Sequence, residues 1–236
     1  LELAFSWYSA LRRKGLNIDI VGPDADLSDY AAIVIPAMPI AHDALLGQLA
    51  DIGVPVLIGP RSGSKTESFS IPDGLAPGDG VRGLIPLRIV RVESLRDGEV
   101  EHGGALAGAE DQNAALAGAE KDPAPAGDGW TISRWREDVE TQLTPEFALK
   151  DGRGVVYHHN HIRYCAAWPD RTLLDQLVER IAHDAQITLT VLPEGVRMRT
   201  TASHQFIFNY TARPVRLGPD SEVIDPAGVS ITALKP

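Results

Sequence analysis

The chain has 236 residues, 22 lysines and arginines against 32 aspartates and glutamates, and a formal net charge of −10. At 44% hydrophobic and 23% charged it is long enough to bury a core unaided, and its one cysteine, Cys165, excludes an internal disulfide framework or a multi-cysteine zinc site. The acidic balance argues against nucleic acid or an anionic membrane as partner, and no apolar run approaches the ~18–20 residues of a membrane span.

At the N-terminus there is no basic-then-apolar signal sequence, so a cytoplasmic protein is expected. There is also no Met: Leu1 opens inside a helical pattern, as expected of a piece cut from a longer chain. Leu1, Ala4, Phe5, Tyr8 and Leu11 fall at helical spacing, and Arg12, Arg13 and Lys14 suit the end of that helix before Gly15 stops it. Asn17–Val21 reads as a short strand. Tyr30–Ala37 is a nearly continuous apolar run, as in a strand covered on both faces. Leu45, Leu46, Leu49 and Ile52 make one helical face, and Val54–Ile58 a second buried strand. This is the rhythm of an open α/β sheet.

After Ile58 comes a polar loop, Gly59-Pro-Arg-Ser-Gly-Ser-Lys-Thr-Glu67, where such sheets place ligand or interface loops. Leu87–Val92 reads as a strand, with Glu99–His102 as a short partner. Glu93–Asp128 holds nine acidic and two basic residues, and Ala-Leu-Ala-Gly-Ala-Glu occurs there at 105–110 and again at 115–120. Two copies are too few for a solenoid, and the composition suits a surface excursion. Strand character returns over Trp130–Val139. A hairpin is expected around His158-His-Asn-His161, between Gly154–Tyr157 and Ile162–Trp168. Thr172 and Asp175 resemble a capping box opening a helix with Leu173, Leu174, Leu177, Val178 and Ile181 on one face. From Ile187 onward short strands at Ile187–Leu192, Val196–Thr201, Gln205–Tyr210, Val215–Leu217 and Val229–Ala233 alternate with turns, so the domains are expected at 1–185 and 186–236.

Several residues invite chemistry. His159 and His161 would share a face of an extended segment, as two metal ligands do, but a third protein ligand is missing and a polar hairpin tip explains them; no metal and no cofactor are expected. Cys165 is a formal nucleophile, but it sits in the apolar run Arg-Tyr-Cys-Ala-Ala and reads as packing. Ser62 lies one place late for a G-x-S-x-G elbow. Trp130 and Trp135 offer sugar-stacking surfaces, although aromatic residues at that spacing usually pack. Arg61, Lys65 and Glu67 could bind a carboxylate or pair across a subunit interface; a solvated loop is the competing reading.

The order of motifs Phe5-Ser-Trp-Tyr-Ser-Ala-Leu-Arg-Arg-Lys-Gly-Leu-Asn-Ile-Asp-Ile-Val, Pro23-Asp-Ala-Asp-Leu, Tyr30-Ala-Ala-Ile-Val-Ile-Pro-Ala and Arg61-Ser-Gly-Ser-Lys-Thr-Glu resembles the trimerisation domain of glycoside hydrolase family 42 β-galactosidases. The tail, with Pro193–Arg199 and Phe206–Tyr210, resembles the small β domain that ends those enzymes. The resemblance implies a flavodoxin-like, class I glutamine amidotransferase-like open parallel sheet without the Cys-His machinery, followed by a small antiparallel β domain. It also implies a non-catalytic scaffold that holds a retaining β-galactosidase as a homotrimer. Its two catalytic glutamates would lie in a (β/α)8 barrel outside this sequence, so no catalytic residue carries over, and galactoside would be met only through that barrel. Arg61, Lys65 and Glu67 would then sit at a subunit contact or at a neighbour's active-site entrance. Two features depart from the family pattern: the 103–128 addition and the His158–His161 tip. The rival classes are an independent amidotransferase- or hydrolase-like enzyme using Cys165 or Ser62, and a carbohydrate-binding module using Trp130 and Trp135.

Overall fold

The computed structural model describes residues 1–104, 129–218 and 221–234. The two Ala-Leu-Ala-Gly-Ala-Glu copies therefore lie outside the described residues. In chain order the first elements are α1 (Glu2–Arg13), β1 (Ile33–Ile35), α2 (Asp43–Asp51), β2 (Val56–Ile58) and α3 (Asp79–Leu84). Then come β3 (Leu87–Ser94), β4 (Val100–His102), β5 (Thr131–Thr141), β6 (Pro145–Ala148), β7 (Gly154–His159), β8 (Ile162–Cys165) and β9 (Ala167–Pro169). Helix α4 (Arg171–Asp184) leads to β10 (Val196–Thr200), β11 (His204–Asn209) and β12 (Val229–Ala233). The chain packs as two compact units, Pro23–Leu173 and the residues 1–22 together with those from Leu174 onward. No described helix is long and apolar enough to cross a membrane.

In the Pro23–Leu173 unit a mixed five-stranded sheet runs β1-β2-β8-β7-β6. β1, β2 and β8 are parallel, whereas β8, β7 and β6 are antiparallel neighbours. The inner strands β2 and β8 are covered on both faces, and every residue of each is buried. Leu45, Leu46 and Leu49 of α2 join Val81 and Leu84 of α3 in the core over Val56, Ile58, Ile162 and Tyr164. The expected hairpin is present: Asn160, at φ 54, turns the chain between His159 and Ile162. The chain then leaves this sheet at Cys165 and enters a second one, in which β5 pairs with β3, β4 and β9. Asp170 closes the unit. Its carboxylate accepts from the Leu173 amide at 2.8 Å and from the Thr131 amide and hydroxyl at 2.8 and 2.9 Å. The helix start is therefore capped by Asp170, not by a box from Thr172 to Asp175.

In the other unit α1 forms where its spacing predicts, but it turns the opposite face inward. Leu3, Trp7 and Ala10 are buried, while Phe5 is 65% exposed and stacks on Tyr8 at 6.4 Å. Two stripes of similar spacing compete on this helix, and the one carrying the indole buries the larger area. Arg13 and Lys14 reach Asp175 and Glu179 of α4 at 2.6 and 2.5 Å. Asn17–Val21 is not a strand. Asn17 exchanges side-chain hydrogen bonds with the Thr200 backbone, no described strand pairs with the segment, and Ile20 stands 85% exposed. The C-terminal strands form an antiparallel sheet in the order β10-β11-β12. Ile187–Leu192, expected as a strand, is irregular, and Val215 makes only an isolated bridge to Ile224.

The two stripes of α1 are separated by mutation. Trp7→Ala is expected to cost about 3–5 kcal/mol as a core truncation. Phe5→Ala should stay within about 0.5 kcal/mol, as for an exposed residue, in urea titrations of this chain.

Candidate functional site at the elbow after β2

The loop leaving β2 has two glycines, Gly59 and Gly63, placed symmetrically about Arg61. Both are required. A Cβ on Gly59 would lie 1.9 Å from the Pro36 carbonyl oxygen, and Gly63 has φ +65 with Val81 2.8 Å from a Cβ position. Between them Arg61 itself has φ 66, a left-handed backbone that costs a non-glycine residue roughly 1–2 kcal/mol. This is the glycine-flanked strand-to-turn geometry in which hydrolases expose a nucleophile at the apex. Here the apex residue is an arginine, which is always charged and has no nucleophilic atom.

The strained apex is held by a buried carboxylate. Glu137, on β5 and 4% exposed, accepts from the Arg61 amide at 2.9 Å on Oε1 and from the Tyr164 hydroxyl at 2.8 Å on Oε2. Burial pushes the Glu137 carboxyl above its ordinary range, against the opposing pull of the Tyr164 and Arg61 hydrogen bonds and the Arg61 charge. Tyr164 is raised too, by burial and by the Glu137 charge. The Arg61 guanidinium turns outward over Trp135, 5.1 Å from the ring centroid. Trp135 meets Trp168 edge-on at 5.4 Å, and Arg134 covers Trp168 at 4.7 Å. Further along, the loop is laced to 38–40: the Gly63 amide donates to Met38 and the Lys65 amide to Pro39.

The residues singled out from the sequence separate into distinct roles. Arg61 is committed internally, whereas Lys65 is half-buried and Glu67 exposed, and neither forms an ion pair among the described residues. Ser62 is buried, accepts from the Met38 amide at 3.1 Å and donates to the Gly59 carbonyl at 2.9 Å, so its hydroxyl is a loop staple. Cys165 is fully buried, its thiol donates to the Ala167 carbonyl, and burial pushes its pKa up to about 12, which leaves negligible thiolate at neutral pH. Trp130 is buried edge-on against Phe147, and Trp135 lies within the arginine–tryptophan row, so neither offers an open face for sugar.

The histidines also disperse. His161 Nε2 lies 2.8 Å from the Leu49 carbonyl, while His158 faces Glu146 at 3.4 Å. Arg163 grips the same carboxylate with Nε at 2.9 Å and Nη2 at 3.1 Å. Burial alone would raise Glu146, but the bonds from His158 and Arg163 outweigh it and hold its pKa at about 2. Sequence reading missed Glu137, Tyr164 and Trp168. Glu137 is hidden in the charged run Arg134-Trp-Arg-Glu-Asp138, and only its place on the inward side of a strand distinguishes it from its neighbours.

Two measurements follow from these carboxylates. Glu137→Ala orphans two donors and is expected to cost about 1–3 kcal/mol for each, with Glu137→Gln less damaging because it keeps one acceptor. Glu146 has the depressed pKa, so its stabilisation is complete above the ordinary carboxylate value of 4.5 and drains away as pH falls toward about 2. Denaturant titrations from pH 7 downward should show Glu146→Gln lacking that part of the acid loss; an identical acid slope in the variant would refute the assignment.

A family model described as a beta-galactosidase trimerisation domain matches residues 2–188. The β-galactosidase of Thermus thermophilus is 39% identical over 222 residues, covering 94% of this chain and 31% of the relative. BgaA of a Thermus species is 41% identical over 212 residues, covering 89% of this chain and 29% of the relative. The crystal structure of the β-galactosidase from psychrophilic Marinomonas ef1 superposes with a TM-score of 0.83 at 28% identity, over 97% of this chain and 33% of that one. The chain thus spans about a third of the length of the relatives it matches, and it belongs to the β-galactosidase trimerisation-domain family.

Proposed function

We propose that residues 1–236 are the non-catalytic assembly and scaffold region of a retaining β-galactosidase, holding that enzyme as a homotrimer in the cytoplasm. One observation carries this reading: the elbow that would present a nucleophile presents Arg61, clamped from behind by Glu137. Ser62 and Cys165, the rival nucleophiles, are both buried and committed to backbone carbonyls. Bond cleavage then belongs to polypeptide outside these residues, in agreement with relatives about three times as long.

The parallel strands β1, β2 and β8 support a flavodoxin-like origin, close to class I glutamine amidotransferases, for the α/β part. The family match ending at 188 supports a functional division at 1–185 and 186–236. In this reading Lys65 and Glu67 face a neighbouring subunit or its active-site entrance, with Arg61 fixing the angle at which the loop leaves the sheet. Such a contact exploits a rigid loop, because little ordering entropy remains to be lost on assembly.

In the full-length enzyme, Lys65→Glu is expected to shift mass by light scattering from trimer toward smaller species, or to raise KM for a chromogenic β-galactoside. No change in either would remove the loop from the interface. Residues 1–236 alone are expected to give no turnover of that substrate, and inhibitor-sensitive turnover would overturn the scaffold reading.

A further inference from the structure

The C-terminal sheet has one packed face and one open face. Antiparallel pairing puts Val196, Met198, Ile207 and Asn209 on one side, where Val196 and Asn209 are buried. Asn209 donates from its amide to the Arg213, Ile224 and Asp225 carbonyls, which closes that side. The other side carries Phe206, Phe208 and Tyr210 in a row, with centroids 6.4 and 6.1 Å apart and planes within 14°. Ile231 and Val229 are paired beside Phe206 and Phe208 on β12, and Arg199 and Arg197 beside them on β10. Tyr210 is 70% and Ile231 58% exposed.

An antiparallel sheet with a solvated face ordinarily makes that face polar. This one combines aromatic and branched apolar side chains with arginine and carries no acidic residue, in a chain of net charge −10. Aromatic residues and arginine enriched, carboxylates depleted, is the composition of an interface core. Among the described residues the carboxylate paired with this face is Asp19, 3.9 Å from Arg199, and such exposed pairs contribute little.

We propose that this aromatic face is the seat of an interface within one polypeptide. It docks on the portion that the relatives carry beyond the matched third, against an apolar surface rimmed by carboxylates that pair with Arg197 and Arg199. The inference rests on the reading above that these residues belong to a longer β-galactosidase. One observation selects that occupant over a second copy. The trimerisation match stops at residue 188, so β10–β12 lie outside the assembly family although the Thermus thermophilus relative matches 94% of the chain.

The test uses the full-length enzyme carrying Ile231→Cys or, as an exposed control in the β3–β4 turn, Asp97→Cys. Maleimide labelling is mapped by peptide mass, and a benzophenone maleimide then photo-cross-links whatever lies beside position 231. The thiol at 231 is expected to react about ten-fold or more slowly than that at 97, as for a site reached only by local opening. Its cross-link should join a peptide outside residues 1–236 at the mass of a single chain. Equal reactivity, or a cross-link between two chains, overturns the proposal. In the unsubstituted enzyme, Tyr210 is expected to resist tetranitromethane, and ready nitration would overturn it without any variant. Light scattering separates the readings: a trimer with a reactive face defeats this interface alone, and a monomer with a protected face defeats the assembly role alone.

Discussion

A buried carboxylate that accepts two hydrogen bonds holds the elbow after β2 in shape. Glu137 reaches from β5 to the apex of a strained turn and to a tyrosine on β8, so a single side chain ties the second sheet to the parallel core. Burying a carboxylate is costly, and the raised pKa of Glu137 records that cost. The return is geometric. With the Arg61 amide fixed, the backbone tolerates a left-handed apex that few non-glycine residues adopt, and Ser62, Gly63 and Lys65 are hydrogen-bonded to Met38 and Pro39.

What such an elbow can do depends on the residue at its apex. An elbow with glycines on both sides of a strained apex serves catalysis when the apex is a serine or cysteine with a base beside it. With arginine there, the strain exposes no reactive atom. It directs a cation across Trp135 and sends the loop outward with Lys65 half-buried and Glu67 exposed. The site, not the fold, decides what the domain does.

Much of the architecture is legible in the sequence, for physical reasons that also explain the failures. Val54–Ile58 and the α4 face announce themselves because full burial selects unbroken apolar runs and strict helical spacing. The α1 face misleads because Leu1, Ala4, Phe5 and Tyr8 form as regular a stripe as Leu3, Trp7 and Ala10, and periodicity alone does not say which of two stripes is covered. Asn17–Val21 has strand composition, but no described strand lies beside it, and a ladder needs two. The helix cap falls to Asp170, two residues before the motif that Thr172 and Asp175 suggest, because a carboxylate there also satisfies Thr131 across the sheet. Of the site, the loop and its charges are readable; the clamp is not. Glu137 acts through a partner 76 residues away, and contacts of that range leave no local pattern.

The elbow keeps its shape only while Glu137 holds the Arg61 amide. Native-state hydrogen exchange of that one amide measures it directly. Protection of Arg61 comparable to that of the buried β2 amides is the expected result, since opening the elbow would require breaking the carboxylate clamp. Exchange of Arg61 at the rate of an exposed loop, with β2 still protected, would contradict the account.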